Sequence, residues 1–250
     1  MDKELLNRKD TPWLKDSVVL LTDTGSKAYG TNLETSDEDY KGICVPPIEY
    51  AFGLQTFEQI ILNDDSTRRN TSEDVDVTIY GLNKFVRLAV SGNPNVLELL
   101  FTDEENIHIK TDVGSKLIEN RGLFLTNKIT GSFGGFALQQ KNKFEKGLGQ
   151  RKELVEKYGY DTKTVMHGVR LYEMAIEAFL TGTFTTKRPN AEELKDIRRG
   201  KYTKQGLMEM MNDYERHFQE ARAKSVLPDK PNMKKVDKML VGLTMDYYGL

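Results

Sequence analysis

The sequence predicts an α+β fold, in which a small mixed β-sheet with flanking helices is followed by an α-helical C-terminal domain. Two observations predict it. The first hundred residues contain four short segments with the apolar or alternating pattern of strands. From about residue 112 onward, apolar residues recur almost wholly with helical spacing. Because 250 residues suffice for two modest domains, we expect a sheet-containing domain over residues 1–110 and a helical domain packed on it over residues 111–250.

The predicted strands differ in pattern. Residues 17–25 form an apolar run stopped by glycine, as in a buried strand, whereas residues 39–45, 57–62 and 74–80 alternate polar and apolar side chains. No linker rich in Pro, Gly or Ser separates these segments from the helical half. The predicted helices cover residues 82–91, 94–101, 112–120, 126–146, 162–181, 190–198, 203–222 and 232–247.

Composition excludes several classes of protein. Lys and Arg number 36 against 38 Asp and Glu, so no global positive field draws the chain onto nucleic acid and any such contact must be local. A single cysteine, Cys44, excludes an internal disulfide and zinc sites built from several cysteines. The sequence shows no apolar stretch suited to a signal peptide or a membrane span. We therefore expect a cytoplasmic protein with no membrane partner.

One short motif suggests a misleading activity. Asp23-Thr24-Gly25-Ser26 follows an apolar strand, as the catalytic Asp-Thr-Gly of an aspartic protease does. Those enzymes need two carboxylates that share a proton, and therefore two copies of the motif or a dimer of small β chains. This chain has one copy and a helical second half. We interpret the match as a coincidence.

A second pattern begins at the same turn and involves carboxylates. Ten residues separate Ser26 from Asp37-Glu38-Asp39, and Asp76 lies on a later predicted strand. Side chains at positions i and i+2 of a strand point to the same face, so Asp37 and Asp39 can approach the same ion. Asp76 would supply a third carboxylate. Hard oxygen donors without His or Cys suit Mg²⁺ or Mn²⁺.

The Gly25-Ser26 turn complements such a metal site. A glycine that ends a strand allows backbone N–H groups to turn outward, where they and the serine hydroxyl can hold an anion. An anion-binding turn beside a divalent metal indicates a nucleoside triphosphate as the ligand.

These motifs resemble the DNA polymerase β-like nucleotidyltransferase superfamily. The closest resemblance is to its bacterial and phage branch that includes an RNA-ligase-associated nucleotidyltransferase. The Gly-Ser and Asp-x-Asp pattern identifies the superfamily, and later segments indicate the branch. The similar segments touch most of the chain and cover residues 25–43, 76–101, 167–182, 193–202 and 227–240.

The resemblance implies both an activity and roles for residues. The activity is transfer of a nucleoside monophosphate from an NTP to a hydroxyl group, with release of pyrophosphate. Gly25 and Ser26 would hold the triphosphate, and Lys27 stands where family members often have arginine, which keeps the charge but loses a bidentate grip. Asp37 and Asp39 would bind two metal ions.

The third carboxylate has two candidates. The resemblance assigns the role to Asp76, because Val-Thr-Ile-Tyr follows it as in the family. Asp74 is the alternative, two residues earlier on the same face.

The predicted helix over residues 162–181 carries a polar stripe. Lys163, His167, Arg170 and Glu177 recur with helical spacing, which on periodicity alone is typical of a solvated face. A His-x-x-Arg at this position recurs in the resembling branch. The resemblance therefore implies that His167 and Arg170 bind the nucleotide.

Two basic clusters are candidate contacts for an RNA acceptor. Basic residues can bind phosphates locally even where the net charge is slightly negative. The clusters are Lys141, Lys143, Lys146, Arg151 and Lys152, and Lys187, Arg188, Lys195, Arg198, Arg199 and Lys201.

Two other functions stay open: a non-catalytic module that binds nucleotide or RNA, and an antitoxin-like transferase that nucleotidylates a protein partner.

Overall fold

The computed structural model describes residues 6–34, 36–63, 75–149 and 151–250. No helix among these residues has the length and apolar character needed to cross a membrane. The five strands are β1 (Val18–Asp23), β2 (Glu38–Cys44), β3 (Gln59–Asn63), β4 (Val75–Gly81) and β5 (Ile107–Lys110). The α-helices are α1 (Leu14–Ser17), α2 (Gly25–Ala28), α3 (Ile48–Phe52), α4 (Leu82–Val90), α5 (Pro94–Leu100), α6 (Asp112–Glu119), α7 (Gly135–Glu145), α8 (Lys152–Tyr158), α9 (Thr162–Thr181), α10 (Ala191–Arg198), α11 (Lys204–Ala223) and α12 (Met233–Tyr248).

The strands form one mixed sheet in the order β3-β4-β2-β1-β5. The central pair β2 and β4 is parallel, and the other three neighbouring pairs are antiparallel. The predicted α+β class, with a mixed sheet, flanking helices and a helical second half, is confirmed. The sequence prediction missed β5, whose four residues form the edge strand beside β1.

One face of the sheet carries an apolar core. β1 is buried along its whole length, which explains its uninterrupted apolar pattern. From β2 and β4, Tyr40, Val77 and Ile79 are buried on this face and pack with Leu21 of β1. Strand alternation therefore directs the residues next to them on each strand, including Asp39 and Asp76, to the opposite face.

The chain divides into two compact units. The first contains residues 1–90, 95–124 and 232–250, and thus the whole sheet and the C-terminal helix α12. The second contains residues 91–94 and 125–231, and thus helices α7 to α11. The proposed catalytic and helical domains, with their boundary at residue 110, stay a prediction.

The helical unit is built around α9. Asp161 caps its start, since the carboxylate accepts a hydrogen bond of 3.1 Å from the backbone N–H of Thr164. Helices α7, α10 and α11 all pack against α9, and Val165 and Val169 are buried in the resulting core. Phe144 and Tyr160 belong to the same core, so these aromatic rings serve packing.

Two segments of the helical unit differ from the sequence prediction. The single helix predicted over residues 126–146 is a five-residue π-helix, Thr130–Gly134, that continues into α7. Helix α8 lies in a stretch for which no helix was predicted. Four glycines between residues 122 and 135 weaken the local preference for α-helix in the first case.

The lone cysteine gives a pH-dependent prediction. Burial raises the pKa of the Cys44 thiol to about 12, although a hydrogen bond with Ser17 opposes the shift. We expect iodoacetamide at pH 8 to alkylate Cys44 of the native protein about a thousandfold more slowly than Cys44 of the urea-unfolded chain, where the thiol has a pKa of about 8.5. The neutral Cys44 thiol makes its full contribution to the free energy of unfolding below the pKa that the thiol has in the unfolded chain. That contribution is lost as pH rises toward about 12. Mass spectrometry of timed samples would measure both rates, and rapid labelling of native protein would contradict the prediction.

Candidate active site

Two of the predicted carboxylates lie side by side on the sheet. Asp39 of β2 and Asp76 of β4 are directly opposite each other in the parallel register. Residues in register on neighbouring strands share a face, so both side chains project from the face opposite the apolar core. The structure thus brings together two aspartates that are far apart in sequence.

Both carboxylates line an open cavity of about 270 Å³. Gly25 forms part of its wall. Asp37 precedes the first residue of β2 and does not line the cavity. Asp74 lies outside the residues that the structure describes. The lining residues are Thr24, Gly25, Tyr29, Asp39, Tyr40, Lys41, Ile61, Asp76 and Thr78.

Gly25 lies against the carboxylate of Asp39. Its φ is +63°, a backbone conformation that L side chains rarely adopt. A Cβ added there would lie 2.3 Å from Asp39 Oδ2. The preceding residue is tied to the same strand, because the Thr24 N–H donates a 2.8 Å hydrogen bond to the Asp39 carbonyl. The turn and the carboxylate therefore fit together only with glycine at this position.

A hydrogen-bonded contact with α5 holds the segment that follows Gly25. The Tyr29 N–H donates to the Gly25 carbonyl, and the Tyr29 hydroxyl donates a 2.5 Å hydrogen bond to the buried Glu98 carboxylate. The Thr31 N–H donates to the Ser26 carbonyl at 2.8 Å. These bonds fix α2 beside the carboxylates. Tyr29 and Glu98 are 69 positions apart in the chain, so local sequence pattern does not predict this contact.

Lys27 is engaged by a buried carboxylate. Its Nζ lies 3.1 Å from Oδ1 of Asp23, whose side chain is only 3% exposed. His108 of β5 shares this oxygen, with Nε2 at 2.9 Å. The Lys27 ammonium is also 5.9 Å from the centre of the Tyr40 ring. The sequence analysis did not identify Asp23 as the partner of Lys27. It also missed His108, which contacts the same carboxylate, because β5 was not predicted.

Tyr40 of β2 lies beside Lys27 and Asp23. Burial raises the pKa of Tyr40, and a hydrogen bond to Glu38 and the negative charge of Asp23 add to the shift. Its hydroxyl donates to Glu38 Oε2 at 2.6 Å. Because Tyr40 is in register with Asp23, the two share a face that is not the face of Asp39. Lys27 is therefore anchored to the side of the sheet opposite the paired carboxylates.

Metal-binding potential is concentrated in the two aspartates. Over residues 6–34, 36–63, 75–149 and 151–250, no group of three or more His, Cys, Asp and Glu side chains is arranged to hold a metal ion. Asp39 and Asp76 offer two hard oxygen donors at one open cavity, a donor set that suits Mg²⁺ or Mn²⁺. The predicted three-carboxylate site with Asp37 stays a prediction.

The other two predicted nucleotide-binding residues lie in the helical unit. Arg170 and His167 contact each other on α9, with Arg170 Nη2 at 3.1 Å from His167 Nδ1. Arg170 is 1% exposed and its Nη1 lies 3.0 Å from Met174 Sδ. The solvated stripe that periodicity predicted is therefore wrong for Arg170. Nucleotide binding by His167 and Arg170 stays a prediction.

Burial of Arg170 predicts a structural effect of its removal. We expect Arg170→Ala to lower the free energy of unfolding by about 2–3 kcal/mol, because it leaves a cavity and removes interior hydrogen bonds. Lys163 is half-buried in the first turn of the same helix. Lys163→Ala should lower the free energy of unfolding by less than about 1 kcal/mol. Urea titration followed by circular dichroism measures both values. If both variants lowered the free energy of unfolding by the same small amount, Arg170 would be a solvent-exposed residue of the polar stripe.

Many residues of the predicted basic clusters form ion pairs within the helical unit. Such pairing reduces the charge that they present to a polyanion. Contact of these clusters with RNA stays a prediction. The pairs are Lys141 with Glu215, Arg151 with Asp161, Arg188 with Glu173 and Glu177, Lys195 with Glu192, and Arg199 and Lys201 with Asp196.

Arg188 belongs to a buried polar network beside a cavity of about 590 Å³. Its guanidinium pairs with Glu173, whose Oε1 accepts hydrogen bonds from Tyr214 at 2.7 Å and Asn190 at 2.5 Å. Burial and the nearby Glu173 raise the pKa of Tyr214. The network joins α9, α11 and the segment before α10, so we assign Arg188 a structural role.

Comparison with known proteins identifies the family. Residues 4–242 match the family model described as "RNA repair pathway DNA polymerase beta family" (RlaP). The chain belongs to this family. The resemblance found in the sequence motifs is thereby confirmed, and with it a nucleotidyltransferase-type family.

Two other proteins are similar to this chain. An uncharacterized 38.9 kDa protein from the nrdC-mobD intergenic region of enterobacteria phage T4 is 33% identical over 124 residues. That alignment covers 48% of this chain and 36% of the phage protein, so the chain matches about a third of its relative. A nucleotidyltransferase-like protein from Exiguobacterium sibiricum aligns with 93% of this chain and 72% of its own, at 10% identity and a TM-score of 0.29. The family assignment depends on the family model alone.

Proposed function

We propose that this protein is a divalent-metal-dependent nucleotidyltransferase that moves a nucleoside monophosphate from an NTP to a hydroxyl group and releases pyrophosphate. The observation that carries the proposal is the pairing of Asp39 with Asp76 across two parallel strands, at a cavity bounded by the Gly25 turn. Family membership supports the type of reaction. We further propose that Asp37 binds metal together with Asp39, and that Asp76 is the third carboxylate, with Asp74 as the alternative for that third role.

The donor set at this cavity fits Mg²⁺ or Mn²⁺. Asp39 and Asp76 supply carboxylate oxygens, and the cavity leaves room in front of them. A bound divalent cation would neutralise phosphate charge and lower the pKa of the acceptor hydroxyl. Asp39 and Asp76 would hold that ion, and the absence of a Cβ at residue 25 preserves the space beside Asp39 Oδ2.

The remaining residues of the site would orient the substrate. The Gly25–Ser26 turn would bind triphosphate oxygens through backbone N–H groups and the serine hydroxyl. The bonds of Tyr29 to Gly25 and to Glu98 keep this turn from moving away from the carboxylates. Rate enhancement would come mainly from positioning and from charge stabilisation.

We propose RNA as the acceptor. The family description places its members in an RNA repair pathway, which supports a polynucleotide hydroxyl over a small molecule. The basic residues of the helical unit that have an exposed side chain, such as Lys146 and Lys152, would meet RNA phosphates.

Incubation with Mg²⁺ and each of the four NTPs, labelled at the α-phosphate, tests the proposal. Parallel reactions contain total RNA, a protein extract or neither, and a matched set contains EDTA. Label on RNA that depends on Mg²⁺ is the expected result. Label on protein would favour the protein-modifying alternative, and binding of NTP without transfer to any acceptor would favour a non-catalytic module.

A further inference from the structure

The cationic residue Lys41 shares the sheet face of the paired carboxylates. Lys41 follows Asp39 by two positions on β2, so strand alternation directs both side chains to the same face. Lys41 also lines the same cavity. The resemblance to known families assigned no role to this residue, and sequence reasoning did not single it out.

The sheet register places Lys41 in the second row of the site. In the first row, Asp39 lies opposite Asp76. In the second row, Lys41 lies opposite Thr78, which in turn lies opposite Ile61 of the edge strand.

Buried side chains follow this second row. The next pair on the same face, Ile43 and Tyr80, is covered, with Ile43 completely buried. Lys41 and Thr78 are thus the last pair on this face of β2 and β4 that lines the cavity.

Lys27, the expected phosphate ligand, is placed differently. Its ammonium lies 3.1 Å from the buried carboxylate of Asp23, which His108 also contacts. That carboxylate shares the opposite face of the sheet with Tyr40. The charge of Lys27 is therefore balanced by a carboxylate that does not belong to the cavity.

We propose that Lys41 binds phosphate oxygens of the polyphosphate substrate and is a substrate-specificity residue of this site. The inference rests on the proposed nucleotidyltransferase function. An ammonium group in a partly enclosed cavity forms strong charge-assisted hydrogen bonds with phosphate. It would also offset the repulsion between the phosphates and the two aspartates. Thr78, its neighbour in register, has a hydroxyl that can donate to the same group.

The proposal predicts a selective loss of affinity for phosphate-bearing ligands. We expect Lys41→Gln to weaken binding of pyrophosphate and of NTPs, each with Ca²⁺ in place of Mg²⁺ to prevent turnover, by about tenfold or more. Binding of the uncharged nucleoside should change by less than about twofold. Lys41→Arg keeps the charge and should lose less affinity than Lys41→Gln. Isothermal titration calorimetry with all three probes measures these differences.

Matched variants separate this role from general effects of charge or folding. Lys110→Gln removes a lysine from β5 of the same sheet, where it pairs with Glu104, and should leave pyrophosphate affinity unchanged. Lys41→Met is a second neutral variant of similar length, for use if Lys41→Gln does not fold. Thermal unfolding without ligand checks that each variant is folded.

The outcomes distinguish this inference from the proposed function. Wild-type affinity in Lys41→Gln and Lys41→Met would overturn the role of Lys41 while leaving the nucleotide site intact. A loss confined to Lys27→Gln would also overturn it, and would support the assignment from resemblance. Equal losses in Lys41→Arg and Lys41→Gln would indicate packing and not charge. Absence of any pyrophosphate or NTP binding by the wild type would refute the proposed function itself.

Discussion

Asp39→Asn is expected to reduce metal-dependent NTP consumption by about a thousandfold or more, with the fold preserved. The substitution keeps the size of the side chain but removes the charge that would hold the cation beside Asp76. A thousandfold loss corresponds to about 4 kcal/mol of transition-state stabilisation. Pyrophosphate release under saturating Mg²⁺ and NTP measures the rate, and circular dichroism with thermal unfolding checks the fold.

Three further variants sharpen this test. Asp76→Asn should behave like Asp39→Asn because the two residues are in register at one cavity. Asp37→Asn should cause a smaller loss, since Asp37 does not line that cavity. Asp16→Asn removes an exposed carboxylate of α1 and serves as the control. Wild-type turnover by Asp39→Asn would refute the site, and an equally large loss for Asp37→Asn would restore the three-carboxylate arrangement.

Gly25→Ala is expected to lower the free energy of unfolding by about 2–4 kcal/mol and to abolish activity. The φ of +63° alone disfavours an L side chain by about 1–2 kcal/mol. The new Cβ would also lie 2.3 Å from Asp39 Oδ2, so the turn or the carboxylate must move. Denaturant titration and pyrophosphate release together measure the two effects.

Gly147 provides a matched control for this substitution. Its φ is +65°, nearly the same as that of Gly25, but a Cβ there would have nothing within 4 Å. Gly147→Ala should therefore show the backbone penalty alone, about 1–2 kcal/mol, without loss of activity. In an Asp39→Ala background, Gly25→Ala should destabilise less, because the clashing carboxylate is absent. Equal effects of Gly25→Ala with and without Asp39 would show that the two residues do not interact.

Local sequence patterns predicted much of the sheet. The buried run of β1 and the alternating residues of β2 and β4 are strong signals, because each strand has one face, or both, covered by core. β5 was missed because its four residues, Ile107–Lys110, are too few to establish a period. Its position is determined by antiparallel pairing with β1, a tertiary contact that local pattern does not encode.

The candidate site could be predicted in part for the same reason. Spacing and resemblance identified Gly25, Asp39 and Asp76, which the structure gathers at one cavity. Alternation along β2 also places Lys41, two positions after Asp39, on the same face. The parallel register that sets Asp39 opposite Asp76 depends on the order of strands in the sheet, which the sequence does not state locally.

Burial in the helical unit was harder to predict. Arg170 shares its helical spacing with residues of a polar stripe, and periodicity counts a charged residue as exposed. In the structure, helices α7, α10 and α11 surround α9, so most of its circumference is covered. A helix that is packed on nearly all sides has no single apolar stripe from which its buried face could be read.

The parallel pairing of β2 with β4 also has a consequence for folding. β1 and β2 are antiparallel neighbours in sequence, whereas β2 meets β4 only after the chain has passed through α3 and β3. Contacts that close a longer loop form more slowly than local ones. We therefore expect the Gly25–Asp39 contact to form early during refolding and the Asp39–Asp76 pair to form late. Recovery of metal binding would then mark the completion of the sheet.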